Sequence, residues 1–203
     1  HLIAHETAHM WFGDLVTMRW FDDVWLKEVF ANLMAEKIVA ADWPDEGADL
    51  RFYLGHYPAA YDVDRTGGTH PIRQRLENLD QAGDLYGPIV YQKSPIAFRA
   101  LELRMGADAF RTPVRQHLEA FAWGSASWPD LLACCEAVCG ESLTAWSQQW
   151  FDTAGRPEIV PVDGGWPAAS YGHVRLEPET VTHLIDHVSG TRDGEARAAL
   201  WLA

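Results

Sequence analysis

Two histidines near the start of the chain have the spacing of a metal site on a helix. The string HETAH occupies residues 5–9. Residues four apart on an α-helix differ by about 40° in direction and about 6 Å along the axis, so His5 and His9 can reach one ion. Zinc binds imidazole nitrogen well, and Glu6 is placed to take a proton from a water molecule. The string predicts zinc and a general base, although H-E-x-x-H also occurs by chance on solvated helices.

Glu28 is the candidate for a third ligand, since a catalytic zinc site uses three protein side chains. It lies nineteen positions after His9, between the apolar Leu26 and Val29. A carboxylate in such surroundings is costly unless it is paired or binds a metal. The alternative is a solvated glutamate beside Lys27 on the helix edge. The spacing fits a second helix that returns alongside the first, which favours Glu28 as a ligand.

Three other histidines repeat part of this pattern. His1 lies four residues before His5, but no glutamate follows it and it is one turn further from the second helix. His183 and His187 are also four apart, in VTHLIDHVSG, with no acidic third ligand evident. We expect all three to lie outside the metal site.

If water at such a zinc site attacks a carbonyl, the oxyanion that forms needs a further hydrogen-bond donor. Two tyrosines, Tyr86 and Tyr91, precede a predicted helix in LYGPIVYQKSPIAF. The residue types alone do not choose between them.

The elements that must hold these residues are predicted to be almost all helical. Ser94 and Pro95 predict a helix start, with serine as the N-cap and proline at the first helical position. Gly13 is a candidate C-terminal cap of the first helix. Residues 45–90 are scattered with Gly, Pro and Asp and predict loops and short helices. Helices are predicted over 1–12, 23–41, 95–105, 107–122, 128–139 and 142–153, and from near Pro178 and Arg192.

The composition excludes several classes of protein. The 203 residues carry 16 Lys and Arg against 29 Asp and Glu, a formal net charge of −13, which argues against nucleic-acid binding. No apolar run approaches the length of a membrane span. Cys134, Cys135 and Cys139 fall in one predicted helix, so we expect core thiols and not a disulfide framework. Apolar residues predicted in the core of the later helices are Phe98, Leu101, Leu103, Phe110, Leu118 and Phe121.

The stretch HETAHMWFGDLVTMRWFDDVWLKEVFA resembles the gluzincin aminopeptidases, which include aminopeptidase N and leukotriene A4 hydrolase. The family pattern is H-E-x-x-H, eighteen residues and E, with W-x-G-x-x-V-T between. The resemblance implies zinc held by His5, His9 and Glu28, with Glu6 as general base and peptides as substrates. VYQKS resembles the family motif V-Y-E-K-G, which implies that Tyr91 stabilises the oxyanion.

The resemblance covers residues 1–158 and implies a mostly α fold, the helical half of a thermolysin-like catalytic domain. It divides the chain into that domain at 1–157, a linker at 158–175 and the start of a C-terminal helical domain at 176–203. The G-x-M-E-N motif that grips a substrate's amine is absent and would precede His1. A β-sandwich that relatives often insert after the G-x-P segment is also missing. Val29 stands where the family often has glycine.

These observations predict a zinc aminopeptidase, of which this chain is a piece, because both ends fall inside helical patterns. We expect a cytoplasmic protein, and the sequence predicts no oligomeric state. One alternative is another zinc hydrolase on the same scaffold, an endopeptidase or an epoxide-opening enzyme. The other is a helical scaffold without activity.

Overall fold

The computed structural model describes residues 1–43, 47–159, 171–174 and 177–192, together with Gly194 and Arg197. The described part is mostly helical, as predicted, with two short parallel strand pairs. No helix in these ranges is both long and apolar enough to cross a membrane. The helices are α1 (Leu2–Ala8), α2 (Val24–Asp42), α3 (Ala48–Asp64), α4 (Ser94–Met105), α5 (Ala107–Ala120), α6 (Trp128–Cys139), α7 (Thr144–Ser147) and α8 (Pro178–His187).

Helix α1 ends at Ala8 and not at residue 12 as predicted. His9 is its C-cap, and the chain then turns tightly, with the Trp11 N–H donating to the Ala8 carbonyl at 3.1 Å. Gly13 is therefore not the cap, but it has a φ of +134°, which favours glycine. A Cβ there would lie 3.4 Å from Nδ1 of His9, so glycine lets this turn pass close to that ring.

Helix α2 is the central element, because it is buried on nearly every side. Trp25 stacks on Phe151 with ring centroids 4.6 Å apart, and it meets Trp128 and Phe98 edge-on at 5.4 and 5.9 Å. Each ring of this kind buries a large apolar area, and offset or edge-on contacts add to that stabilisation. The aromatic cluster fixes the direction of α2 and of every side chain on it. Phe98, Leu101 and Phe110 are buried as predicted, Leu118 and Phe121 are half-buried, and Leu103 is 68% exposed, so its core assignment was wrong.

Helix α3 contradicts the prediction of loops and short helices over 45–90, because it runs unbroken for 17 residues. Gly55 and Pro58 inside it hid the pattern. Proline in a helix interior removes a backbone hydrogen bond. Packing compensates, since Tyr53 and Tyr57 are buried and stack with centroids 4.1 Å apart.

Helix α4 begins at Ser94, within a residue of the predicted start, but Ser94 is not the N-cap. A π-helical turn, Ile89–Lys93, leads directly into α4, and Ser94 already has helical φ and ψ. Its hydroxyl donates to the carbonyl of Val90 within the same helical path. Tyr91 therefore lies inside a continuous helical segment and not in a loop before one.

The remaining elements close the core. Strands β1 (Val16–Met18) and β2 (Gly124–Ala126) pair in parallel, and α6 begins with a capping box between Ser127 and Asp130. After α7, a π-helical turn at Gln148–Asp152 continues the helix predicted over 142–153.

The last described part contains strands β3 (Glu158–Ile159) and β4 (His173–Val174), which pair in parallel, followed by α8, which begins at Pro178 as expected. The second helix, predicted over 23–41, is confirmed as α2, which ends at Asp42. Most of the predicted linker at 158–175 and nearly all of the helix expected from Arg192 lie outside the described residues.

Candidate metal centre and catalytic site

His5 and His9 project from one face of the first helix towards α2. Their Nε2 atoms lie 3.2 Å apart, and the two rings meet nearly at right angles. This is the arrangement that the four-residue spacing predicted.

Glu28, on the second turn of α2, completes a group of three possible ligands. Its Oε2 atom lies 3.6 Å from Nε2 of both His5 and His9. Glu28 is only 6% exposed, and its other oxygen lies 3.6 Å from Nζ of Lys27. Within the described residues, these three form the single His, Cys, Asp and Glu group whose ligand atoms all fall within 4.8 Å of one another.

Neighbouring acceptors determine which nitrogen of each ring carries the proton. Nδ1 of His9 lies 3.0 Å from the carbonyl oxygen of Phe12, which can only accept, so this Nδ1 donates. Nδ1 of His5 lies 2.9 Å from Oδ1 of Asn32, and the Nδ2 of that amide donates to the Tyr91 carbonyl at 3.3 Å. These contacts fix the orientation of the Asn32 amide, because the Tyr91 carbonyl can only accept and must face the Asn32 NH2 group. The Asn32 oxygen then faces His5 and accepts from its Nδ1.

Because Nδ1 of each ring faces an acceptor outside the group, the Nε2 atoms of His5 and His9 face each other and a carboxylate oxygen of Glu28. A divalent cation can bind all three of these ligand atoms at once, and two imidazoles with one carboxylate are a set that zinc accepts. The donor set and its outer hydrogen bonds fit a zinc ion.

Glu6 and Tyr91 are the two candidate catalytic side chains beside this group. Glu6 follows His5 and is exposed to solvent. Burial, with the nearby Glu28, Tyr86 and Glu6, raises the pKa of the Tyr91 phenol to about 12. The phenol is consequently protonated, and a hydrogen-bond donor, at neutral pH.

The two tyrosines that the sequence left open occupy different positions. Tyr91 is half-buried on the π-helical turn, whereas Tyr86 is 40% exposed. Their rings stack with centroids 6.2 Å apart. The charges of Glu28 and Glu6 both contribute to the raised pKa of the Tyr91 phenol.

Comparison with known proteins decides the family. Residues 1–150 match the model of the peptidase family M1 domain. The chain belongs to peptidase family M1. The expected resemblance to the gluzincin aminopeptidases is thereby confirmed, and with it the mostly α fold of this part of an M1 domain.

Several M1 proteins share about a third of their aligned residues with this chain. Aminopeptidase N of Streptomyces lividans is 36% identical over 200 residues, which cover 88% of this chain and 23% of that protein. Tricorn protease-interacting factor F2 of Thermoplasma volcanium is 34% identical over 192 residues, 94% of this chain and 23% of that protein. Puromycin-sensitive aminopeptidase of Caenorhabditis elegans is 31% identical over 158 residues, which cover 78% of this chain and 17% of that protein. The chain thus spans less than a quarter of the length of each of these relatives.

The histidines that were expected outside the site lie apart from it in this M1 chain. His1 contacts Glu36, at 2.9 Å, two turns along α2 from Glu28. His183 and His187 stack on each other on the exposed α8, and Nδ1 of His187 donates to the carbonyl of His183 at 2.8 Å. Neither pair joins the three-ligand group.

The cysteines form no disulfide. Cys135 is buried, as expected of a core thiol, and burial raises its pKa to about 12. Cys134 and Cys139 are only half-buried.

Sequence reasoning missed two features that support the site. Asn32 lies four residues after Glu28, so its place on the same face could have been read from the helical period. The second is a buried ion pair between Lys93, two residues after Tyr91, and Asp64, with Nζ and Oδ2 2.9 Å apart. No local pattern links them, since Asp64 sits at the end of the helix that was predicted as loop.

Proposed function

We propose that the protein containing this chain is a zinc aminopeptidase that removes N-terminal residues from peptides. The observation that carries the proposal is the convergence of three ligand atoms from His5, His9 and Glu28, with Nδ1 of each histidine hydrogen-bonded to an acceptor outside the group. Family membership and the names of the relatives support the same reaction.

The three side chains would hold one zinc ion through Nε2 of His5, Nε2 of His9 and a carboxylate oxygen of Glu28. When bound, zinc supplies a Lewis acid that polarises the scissile carbonyl and makes water more acidic. Lys27, near the second oxygen of Glu28, neutralises charge on the side of the carboxylate away from the histidines.

Glu6 acts as the general base in this proposal. It follows His5 directly and is exposed, so its carboxylate can accept a proton from the attacking water and return it to the leaving amine.

Tyr91 stabilises the oxyanion that develops on the substrate. Its phenol keeps its proton at neutral pH, and it lies near both glutamates. Losing one such donor costs on the order of 3 kcal/mol in the barrier, so Tyr91→Phe should lower kcat about 100-fold or more.

We further propose that residues 1–157 are the helical part of the catalytic domain and 176–203 begin a C-terminal helical domain. The family match ends at residue 150, and α8 starts at Pro178, which support this division. A cytoplasmic location stays a prediction.

The test uses the full-length protein. Metal analysis should find zinc at the site, lost in His9→Gln, and an aminoacyl fluorogenic substrate should be cleaved. Glu6→Gln should retain zinc and lower kcat by about 100-fold or more, within the range attributed to general-base catalysis. Glu119→Gln is the matched control, because Glu119 is exposed on α5. Unchanged turnover in Glu6→Gln would show that the base is another group.

The requirement for a free amine is tested separately. An aminopeptidase cleaves a peptide with a free N-terminus and leaves the same peptide intact once it is acetylated. Equal rates on both peptides would point to an endopeptidase on this scaffold.

A further inference from the structure

One buried amide connects the two halves of the candidate site. Asn32 is 8% exposed on α2. Its Oδ1 accepts from Nδ1 of His5 at 2.9 Å, and its Nδ2 donates to the backbone carbonyl of Tyr91 at 3.3 Å. A single side chain thus contacts a proposed zinc ligand and the backbone of the proposed oxyanion donor.

The Tyr91 carbonyl is available for a specific reason. In an α-helix it would accept from the N–H of residue 95, but that residue is Pro95, which has no N–H. The Asn32 amide donates to this carbonyl, so a side chain of α2 is hydrogen-bonded to the helical segment that carries Tyr91.

The same amide determines the state of His5. Because its NH2 group is committed to the Tyr91 carbonyl, its oxygen must face His5. Nδ1 of His5 then keeps the proton, and Nε2 is left to bind a cation. A hydrogen bond of this kind also fixes the ring orientation and raises the basicity of the ligand nitrogen.

We propose that Asn32 is a positioning residue that couples the metal-binding face of α1 to the turn that carries Tyr91. This inference rests on the proposed zinc aminopeptidase function. The amide holds His5 in the zinc-binding tautomer, and its hydrogen bond to the Tyr91 carbonyl fixes the position of that residue beside the same site.

Two substitutions separate the two ends of the bridge. Asn32→Asp keeps an acceptor for His5 but replaces the donor to Tyr91 with a negative oxygen. Asn32→Leu removes both contacts at similar volume. The chain's other asparagine, Asn78, is exposed and offers the matched control Asn78→Asp.

The experiment measures zinc affinity by chelator competition, and kcat and KM, in the full-length protein. Asn32→Leu should bind zinc about 10- to 100-fold more weakly. Asn32→Asp should bind zinc at least as tightly as the wild type, yet lose about 10-fold in kcat, with little change in KM. Asn78→Asp should match the wild type in every measurement.

A double-mutant cycle tests whether Asn32 acts through Tyr91. Residues coupled in one network have non-additive effects. Asn32→Asp should therefore lower kcat much less in a Tyr91→Phe background than in the wild type. A residue with a purely structural role would instead lower stability, and its effect on kcat would multiply with that of Tyr91→Phe.

A readout on the zinc-free protein is independent of activity. Nitrogen-15 NMR of the imidazole should show His5 with its proton on Nδ1 in the wild type and in Asn32→Asp. Asn32→Leu should lose that preference.

The outcomes are distinct. Wild-type zinc affinity in Asn32→Leu, or full turnover in Asn32→Asp, would overturn the role of Asn32 and leave the zinc proposal standing. Multiplying effects in the cycle would overturn the coupling. A wild-type protein without zinc would overturn the proposed function and this inference together.

Discussion

Replacing Lys93 with methionine should destabilise the M1 domain by about 3–5 kcal/mol. The Lys93 side chain is completely buried. Its Nζ lies 2.9 Å from a carboxylate oxygen of Asp64 and donates to the Gly155 carbonyl at 2.8 Å. Asp64 also accepts from the hydroxyls of Thr69 and Tyr171, at 2.5 and 2.8 Å.

The magnitude follows from what each variant leaves behind. Lys93→Met leaves the Asp64 carboxylate buried without a cation, and breaking such a pair from one side costs about 3–5 kcal/mol. The two hydroxyl donors that remain place the loss near the lower end, about 3 kcal/mol, and the lost bond to Gly155 adds about 1 kcal/mol. For a domain of this size the total corresponds to roughly 10 °C in Tm.

Differential scanning calorimetry of the full-length protein would measure this loss in the transition of the catalytic domain. Lys37→Met is the control, since Lys37 pairs with Glu102 at the surface with its side chain 44% exposed, and such pairs contribute about 0–1 kcal/mol. Combining Lys93→Met with Asp64→Leu should recover much of the stability, because no charge is then buried alone. A Lys93→Met protein within 1 kcal/mol of the wild type would refute the reasoning, as would a double variant no more stable than the single one.

Three further outcomes are expected. Phe151→Ala should cost about 3–5 kcal/mol in the same calorimetric transition, because Phe151 packs between Trp25 and Trp128 in the core; a loss below 1 kcal/mol would contradict that packing. Cys135, whose pKa burial raises to about 12, should resist a thiol reagent until the protein unfolds. Because the thiol of the unfolded chain loses its proton at a lower pH, the stability of the wild type relative to Cys135→Ala should fall as the pH rises above about 9. Rapid labelling of Cys135 in the native protein, or no trend with pH, would argue against a buried thiol. Removing zinc with a chelator should lower the Tm of the wild type. The shift should correspond to about 4 kcal/mol if the free zinc concentration was 1,000 times its Kd, and His9→Gln should show no such shift. An equal shift in both proteins would place the stabilising ion elsewhere.

The sequence located the candidate ligands because their geometry is local. His5 and His9 are related by one helical turn, and Glu28 needs only a second helix packed against the first. The structure brings these three groups together. Their role as zinc ligands stays a prediction, since it depends on the ion itself.

The sequence-based predictions of secondary structure failed where packing between distant residues outweighs the local preference for helix or loop. Gly55 and Pro58 argue against a helix on their own, but the stacked Tyr53 and Tyr57 stabilise α3 once it lies in the core. Ser94 followed by proline has the appearance of a cap, yet the chain is already helical before it.

Two other contacts also join residues that are far apart in the sequence. Asn32 contacts Tyr91, fifty-nine residues later, and the members of the Lys93–Asp64 pair are 29 positions apart. Single-sequence patterns of helical or strand period do not reach over such separations.

The placement of Glu28 has a consequence for how this protein can change. The carboxylate is on the same helix as Trp25 and Phe30, which are large and fully buried, so any substitution that shifts that helix also shifts a candidate ligand atom. Selection or engineering for new substrates is therefore expected to act on the rim, at exposed positions such as Tyr86, and to leave the interior of α2 unaltered.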